Sequence, residues 1–138
     1  MIGSEIYRSS RYGQHHPLSI HRVTPVMDLT RALGWLDDAV FVESPIATPE
    51  MLTRFHDPHY VAAIQQAERD GRVSETVKER YNIGRNGNPI FPEIFSRPAM
   101  ACGASILAAR ALAGVERGVI HSLAGGTHHG RLWLLLLQ

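Results

Sequence analysis

Apolar residues recur along the chain at two periods, and short Gly, Pro and Asn clusters separate them. Val23, Val26, Met27, Thr30 and Leu33 share one face of a helix, which Ser19 would cap and Gly34 would end. Pro25 falls in the first turns, where a missing N–H costs little. Thr48-Pro49-Glu50 is a helix start, with a capping side chain followed by Pro at the first helical position. Asp57-Pro58 repeats that signal and predicts a helix through about Arg69, closed by Gly71. Residues 82–92, rich in Asn, Gly and Pro, predict a loop. Ser96 opens a long helix to about Leu112, and its small face (Ala99, Gly103, Ala104, Ala108) predicts close packing on a sheet. Ile6-Tyr7 predicts a short edge strand, Val40-Phe41-Val42 a second strand, and Val119-Ile120-His121 a buried one. Trp35 and Phe41 are assigned to the core. Alternating strands and helices without internal repeats predict an α/β fold with a mostly parallel sheet.

Composition changes this picture little. The 138 residues are enough for one domain with a core. A hydrophobic fraction of 44% and a charged fraction of 20% are those of a water-soluble globular chain. The formal charge of +1, with arginines scattered among acids, gives no electrostatic footprint for nucleic acid. The single Cys102 excludes an internal disulfide and fits a reducing cytoplasm. No charged-then-apolar leader stands at the N-terminus, and the apolar run Leu132–Leu137 is too short to span a bilayer. The expectation is a cytoplasmic protein with neither membrane nor nucleic-acid partners.

The candidate chemistry sits near the C-terminus, in Ala124-Gly125-Gly126-Thr127-His128-His129-Gly130. One imidazole is the usual general acid or base, and a neighbour can be held by a carboxylate while the other handles protons. Gly125 and Gly126 would let the backbone approach a ligand closely, which makes them candidate substrate-binding positions. The turn follows the predicted strand at 119–121, where open α/β sheets place their ligand sites. His15, His16 and His21 are read as surface histidines rather than a metal site. His56 and Tyr60 stand at i, i+4, but Asp57-Pro58 between them marks a helix start, so His56 is read as a structural contact to a neighbouring loop.

The Gly-Gly-x-His-His run resembles the motif of the zinc-dependent histone deacetylase superfamily, which includes acetoin-utilisation proteins and acetylpolyamine deacetylases. His15-His16-Pro17 through His21-Arg22-Val23 is similar to that family's early His-Pro segment. Phe55-His56-Asp57-Pro58-His59-Tyr60-Val61 resembles its His-Asp-Pro-x-Tyr signature. Asn88-Pro89-Ile90-Phe91-Pro92 followed by Ala101-Cys102-Gly103-Ala104 looks like the loop and long helix before the catalytic strand. The likeness covers roughly residues 5–131 in the family's order. It implies the N-terminal portion of the arginase/deacetylase-type three-layer α/β/α fold, incomplete. It also implies that an Asp holds His128 and that His129 is the general acid and base. In many members an Asp before the loop Pro binds the substrate amide; Gly87-Asn88 stands there in this chain, which would weaken substrate recognition.

In the intact family, an Asp-x-His pair and a more distant Asp bind the zinc, and a late Tyr polarises the substrate carbonyl. Those segments have no counterpart in these residues, so the resemblance implies no zinc ligands and no cofactor held by this chain alone. The tail Trp133-Leu134-Leu135-Leu136-Leu137-Gln138 is compatible with a shifted reading of codons for the family's Gly-Phe-Cys-Tyr-Phe-Asn-Asp segment. The expectation is a truncated, catalytically inactive homologue: a partial deacetylase-like domain over residues 1–131 and an aberrant Leu-rich tail over 132–138. The alternative is an interaction module that uses an exposed sheet edge and the tail. A homo-oligomer is expected, most simply a dimer, because unpaired edges and uncovered apolar surface recruit partners.

Overall fold

The computed structural model describes residues 1–12 and 21–125. Its sheet is small and parallel. Strand β1 (Ile2–Gly3) pairs with β2 (Val42–Glu43), with Ile2 opposite Val42 and Gly3 opposite Glu43. On its other side Ile2 makes a parallel bridge to Ser122, and its N–H donates to the His121 carbonyl at 2.9 Å. The N-terminal strand therefore lies between two segments that come much later in the chain. The long helix over Ser96–Leu112 contacts β1, and Met27 lies against Gly3.

Three of the strand expectations need correction. Ile6-Tyr7 opens a helical turn, α1 (Ile6–Ser9), and not an edge strand. Ser4 Oγ accepts from the Ile6 N–H at 3.3 Å, an N-cap type of contact that favours a turn over extension. Val40 belongs to a 3₁₀ turn (Asp38–Val40) that the Asp37 side chain caps by accepting from the Ala39 N–H, so the strand starts only at Val42. Val119-Ile120-His121 is neither a strand nor buried: Val119 is 96% exposed and pairing is confined to Ser122. A single bridge builds no ladder, so nothing turns these side chains alternately inward.

Helix α2 (Val23–Ala32) starts at Arg22, which makes no side-chain cap; Ser19 lies outside the described residues. Gly34 ends it at φ +69°, as expected. The buried side is Thr24 and Met27, whereas Val26, Leu29 and Leu33 are exposed. Trp35, assigned to the core, is 76% exposed. The Thr30 carbonyl accepts from both Trp35 and Leu36 N–H groups, and this turn sends Leu36 inward in place of the tryptophan. Phe41 is half-buried beneath the Arg31 guanidinium, 5.0 Å from its ring centre.

The capped helices follow the sequence closely. Thr48 accepts from the Met51 N–H and opens α3 (Pro49–Leu52). Asp57 accepts from the His59 and Tyr60 N–H groups and opens α4 (Pro58–Asp70), which Gly71 closes at φ +66°. Helix α5 (Glu75–Tyr81) was not expected. Its signal is Ser74, whose Oγ accepts from the Val77 N–H, but the segment is too polar to show an apolar stripe.

The long helix α6 (Ser96–Leu112) has the expected length but a different cap. Ser96 is its first residue and caps nothing. Glu68 on α4 accepts instead from the Phe95 and Ser96 N–H groups at 2.8 Å each and from Ser96 Oγ at 3.0 Å. The carboxylate sits at the positive end of the helix dipole. The small face, expected to pack on a sheet, packs closely instead on the chain leaving β2: the Ala99 carbonyl accepts from the Ala47 N–H, and Ser44 Oγ donates to the Met100 carbonyl at 2.6 Å. Ala99, Gly103 and Ala104 are buried there, and Ala108 is half-buried. The main apolar cluster joins α4, α5 and the loop before α6 through Tyr60, Ile64, Ala67, Tyr81, Ile83, Phe91 and Ile94.

Candidate functional site

The described chain reaches the histidine motif at its first glycine. After the Ser122 bridge comes a turn in which Gly125 N–H approaches the Ser122 carbonyl at 3.5 Å. Ala124 is buried and Gly125 is exposed. A Cβ at Gly125 would meet the Ser122 carbonyl oxygen at 3.7 Å and Ser105 Oγ at 3.8 Å, both ordinary contacts. Among the described residues nothing therefore demands glycine at this position. Gly126, His128 and His129 lie outside the described residues, as do His15 and His16.

The strand pairing holds the chain that leads to Gly125. Ile2 holds His121 and Ser122 from one side, so the chain leaves the sheet edge at Leu123 and turns at Gly125. Ser105 on α6 stands beside that turn. Gly125 thus lies between the Ser122 bridge and α6.

Among the remaining described histidines, His21 and His56 make structural contacts. His21 Nδ1 lies 3.2 Å from the Tyr7 carbonyl and ties the start of α2 to α1. The His56 ring stands edge-on to Phe55 at 4.9 Å and tilted against Tyr60 at 5.8 Å, two partners in its own segment. His59 is exposed in the first turn of α4. Among the described residues no three His, Cys, Asp or Glu side chains converge on a position that could hold a metal ion. The described donors therefore do not fit a zinc site.

A stack that sequence spacing could not reveal sits just before residues 13–20. The Arg97 guanidinium lies 4.5 Å from the Tyr12 ring centre and 5.5 Å from that of Tyr7, and Nη1 donates to the Ser10 carbonyl at 3.4 Å. Tyr7 Oη donates back to the Arg97 carbonyl at 3.4 Å. Burial pushes the Tyr7 hydroxyl up to about 12, against a smaller opposing effect from Arg97. This stack fixes the chain at Ser10–Tyr12 onto α6. Its partners are far apart in sequence, so no local pattern announces it.

The loop at 82–92 is a two-residue hairpin rather than an irregular stretch. Asn88 N–H donates to the Arg85 carbonyl at 2.9 Å, and the Gly84 N–H to the Asn88 carbonyl at 2.7 Å. Asn86 at φ +49° and Gly87 at φ +81° give a type I′ turn. Asn88 is 1% exposed, which makes it part of the loop's support and not a group presented to a ligand. Cys102, half-buried on α6, has its thiol pushed up by burial and is poorly disposed to act as a nucleophile.

The sequence profile of the histone deacetylase domain matches residues 16–132. The chain belongs to the histone deacetylase family. The acetoin utilization protein AcuC of Bacillus subtilis is 27% identical over 129 residues, covering 94% of this chain and 33% of that protein. Human histone deacetylase 1 is 27% identical over 122 residues, covering 87% of this chain and 25% of its own length. The crystal structure of a histone deacetylase homologue from Aquifex aeolicus superposes with a TM-score of 0.84 at 31% identity, over 96% of this chain and 35% of that one. A second structure, of such a homologue complexed with SAHA, matches equally well. The fold is thus the deacetylase fold, and the chain spans about a third of the bacterial relatives it matches. The match to the histone deacetylase domain takes in Gly125, Gly126, His128 and His129.

Proposed function

We propose that this chain carries the acid–base portion of a deacetylase centre and that its 138 residues do not hydrolyse amides by themselves. The observation behind this reading is the histone deacetylase domain match, which spans the His128-His129 motif while the chain covers only a third of its bacterial relatives. His129 takes the role of general acid and base, and His128 that of the ring held by an Asp. Gly125 and Gly126 let a substrate approach the backbone. The room around Gly125 supports that assignment, because packing among the described residues gives no other reason for glycine there.

The magnitudes favour inactivity. General acid–base catalysis contributes on the order of 10²–10⁴-fold, whereas enzymes as a class supply roughly 10⁶-fold or more. In the family zinc supplies the rest by activating water and polarising the carbonyl, and the described residues offer no ligand set for it. The parent substrates are acetyl-lysine or acetylpolyamine amides. The test is turnover of both substrate types by the purified chain with zinc added. No hydrolysis is expected; hydrolysis that disappears in His129→Ala would overturn the reading.

A second reading is a partner-binding or self-associating module, most simply a homodimer. Exposed apolar residues at the sheet favour it: Val119 is 96% exposed, and Val42 and Ile46 are each 48% exposed. The apolar tail 132–138 would add to that surface. Sedimentation at micromolar concentration decides between this and a monomer, with deletion of 132–138 as the second arm. Among the described residues no helix is long and apolar enough to cross a membrane. The proposed compartment, from the single reduced cysteine, is the cytoplasm.

A further inference from the structure

We infer that Asn86 is a site of spontaneous, non-enzymatic modification, in which the Gly87 nitrogen closes on the Asn86 side chain and releases ammonia. All three asparagines of the chain lie in this one loop, at 82, 86 and 88, and the structure separates them. Asn86 is exposed at the tip of the turn and is followed by glycine, which leaves the attacking nitrogen unshielded by any side chain. Among the described residues the Gly87 N–H donates no hydrogen bond, because a type I′ turn engages only the N–H that follows it, here that of Asn88. The chain's other acid- or amide-glycine pair is the reverse case. At Asp70-Gly71 the glycine N–H is held by the Ala67 carbonyl at 2.9 Å.

The other two asparagines are poor sites for clear reasons. Asn82 precedes Ile83, a β-branched residue with no exposed surface. Asn88 is buried and precedes Pro89, whose nitrogen carries no proton to give up.

Closure also suits the hairpin. The bond from Gly87 N to Asn86 Cγ forms and the Cγ–Nδ2 bond breaks. The proton from Gly87 N leaves with Nδ2 as ammonia. Water then opens the five-membered imide at either carbonyl, leaving an aspartyl or an isoaspartyl residue at 86. No electrons change hands. Types I′ and II′ share a positive φ at their first central residue and differ by a flip of the central peptide, so the imide can form while the chain still turns.

The product changes the loop. Asn86 Nδ2 donates to Asn82 Oδ1 at 2.8 Å, and Asn82 is the left-handed C-cap of α5. A carboxylate at 86 removes that donor and sets a negative charge beside Arg85, now 3.8 Å from Glu79. The isoaspartyl form also adds a backbone carbon to a two-residue turn and so breaks its register.

The test is to age the full chain in mildly alkaline buffer at physiological temperature and map it by tandem mass spectrometry. The expected result is an amide-to-acid mass gain confined to position 86, with matching ammonia and a mixture of aspartyl and isoaspartyl peptides. Asn86→Gln should abolish both signals, and Asn86→Ser should do the same if the Gln variant folds poorly. No gain at 86 in the native chain, a gain only after unfolding in urea, or equal gains at Asn82 would each overturn the inference.

Discussion

Glu68 holds the first turn of a helix that begins at Ser96, on the far side of a long loop. One carboxylate oxygen accepts three hydrogen bonds there, two from main-chain N–H groups that the helix itself leaves unpaired. Replacement by Ala should cost about 1–2 kcal/mol, in the range of a lost charged cap. Glu68→Gln, which keeps an acceptor without the charge, should recover part of it. Urea unfolding followed by circular dichroism measures both; a loss as large for Gln as for Ala would mean that a neutral acceptor recovers nothing, and no loss for Gln would mean the charge is immaterial.

Gly103 sets two preferences against each other. Helix propensity alone favours alanine there by about 1 kcal/mol. A Cβ would, however, drive into the Pro45 carbonyl, with the Ala47 nitrogen also only 3.1 Å away. Both are backbone atoms and cannot swing aside, and overpacking of this kind costs about 1–3 kcal/mol or more. The collision should win, so Gly103→Ala is expected to lower the unfolding midpoint. Alanine at Gly114, where nothing lies within 4 Å, is the control and should leave the midpoint unchanged or raise it.

Tyr60 makes stability sensitive to alkali. Burial pushes its hydroxyl up to about 12, from an ordinary value of 10.0. The folded state therefore prefers the neutral form. The contribution is fully present below pH 10.0 and is lost as pH rises toward about 12. Tyr60→Phe should flatten part of that alkaline fall while changing stability little at neutral pH. Equal alkaline slopes in the two proteins would assign the fall elsewhere.

Arg8 predicts the opposite behaviour in acid. Its guanidinium is bonded to both Asp28 carboxylate oxygens at 2.9 Å and to Glu5 at 2.7 Å. The hydrogen bond from Arg8 is the main cause that holds both carboxyls below their ordinary values. Their contribution is present above the usual carboxylate range and disappears as pH falls through the lowered values. These groups are exposed, so the effect should shrink in salt. Carboxyl resonances followed by NMR titration should move back toward ordinary values in Arg8→Gln.

Local signals carried most of what the sequence revealed. Thr48-Pro49, Asp57-Pro58 and Gly71 set their helix ends through side chains and backbone freedom within a few residues, and the structure keeps all three. Failures came where a distant partner decides. Trp35 and Val119 look like core by composition, yet the described fold turns Leu36 inward and leaves Val119 without a ladder. Ser96 looks like a cap, but Glu68 has taken the helix end before its hydroxyl can. Of the candidate site, the motif was legible as a string of residues, and Gly125 can be followed in three dimensions; Gly126, His128 and His129 lie outside the described residues.

The bridging of Ile2 to both Val42 and Ser122 has a kinetic consequence. Ile2 can complete its pairing only once the chain has been made as far as Ser122. Its second partner lies nearly the whole described chain away, and long-range closure slows folding. Until then Ile2 and Gly3 have open hydrogen-bonding groups on at least one side. The segment leading to Gly125 is therefore placed by a contact of high sequence separation, which closes more slowly than the local turns of the helices.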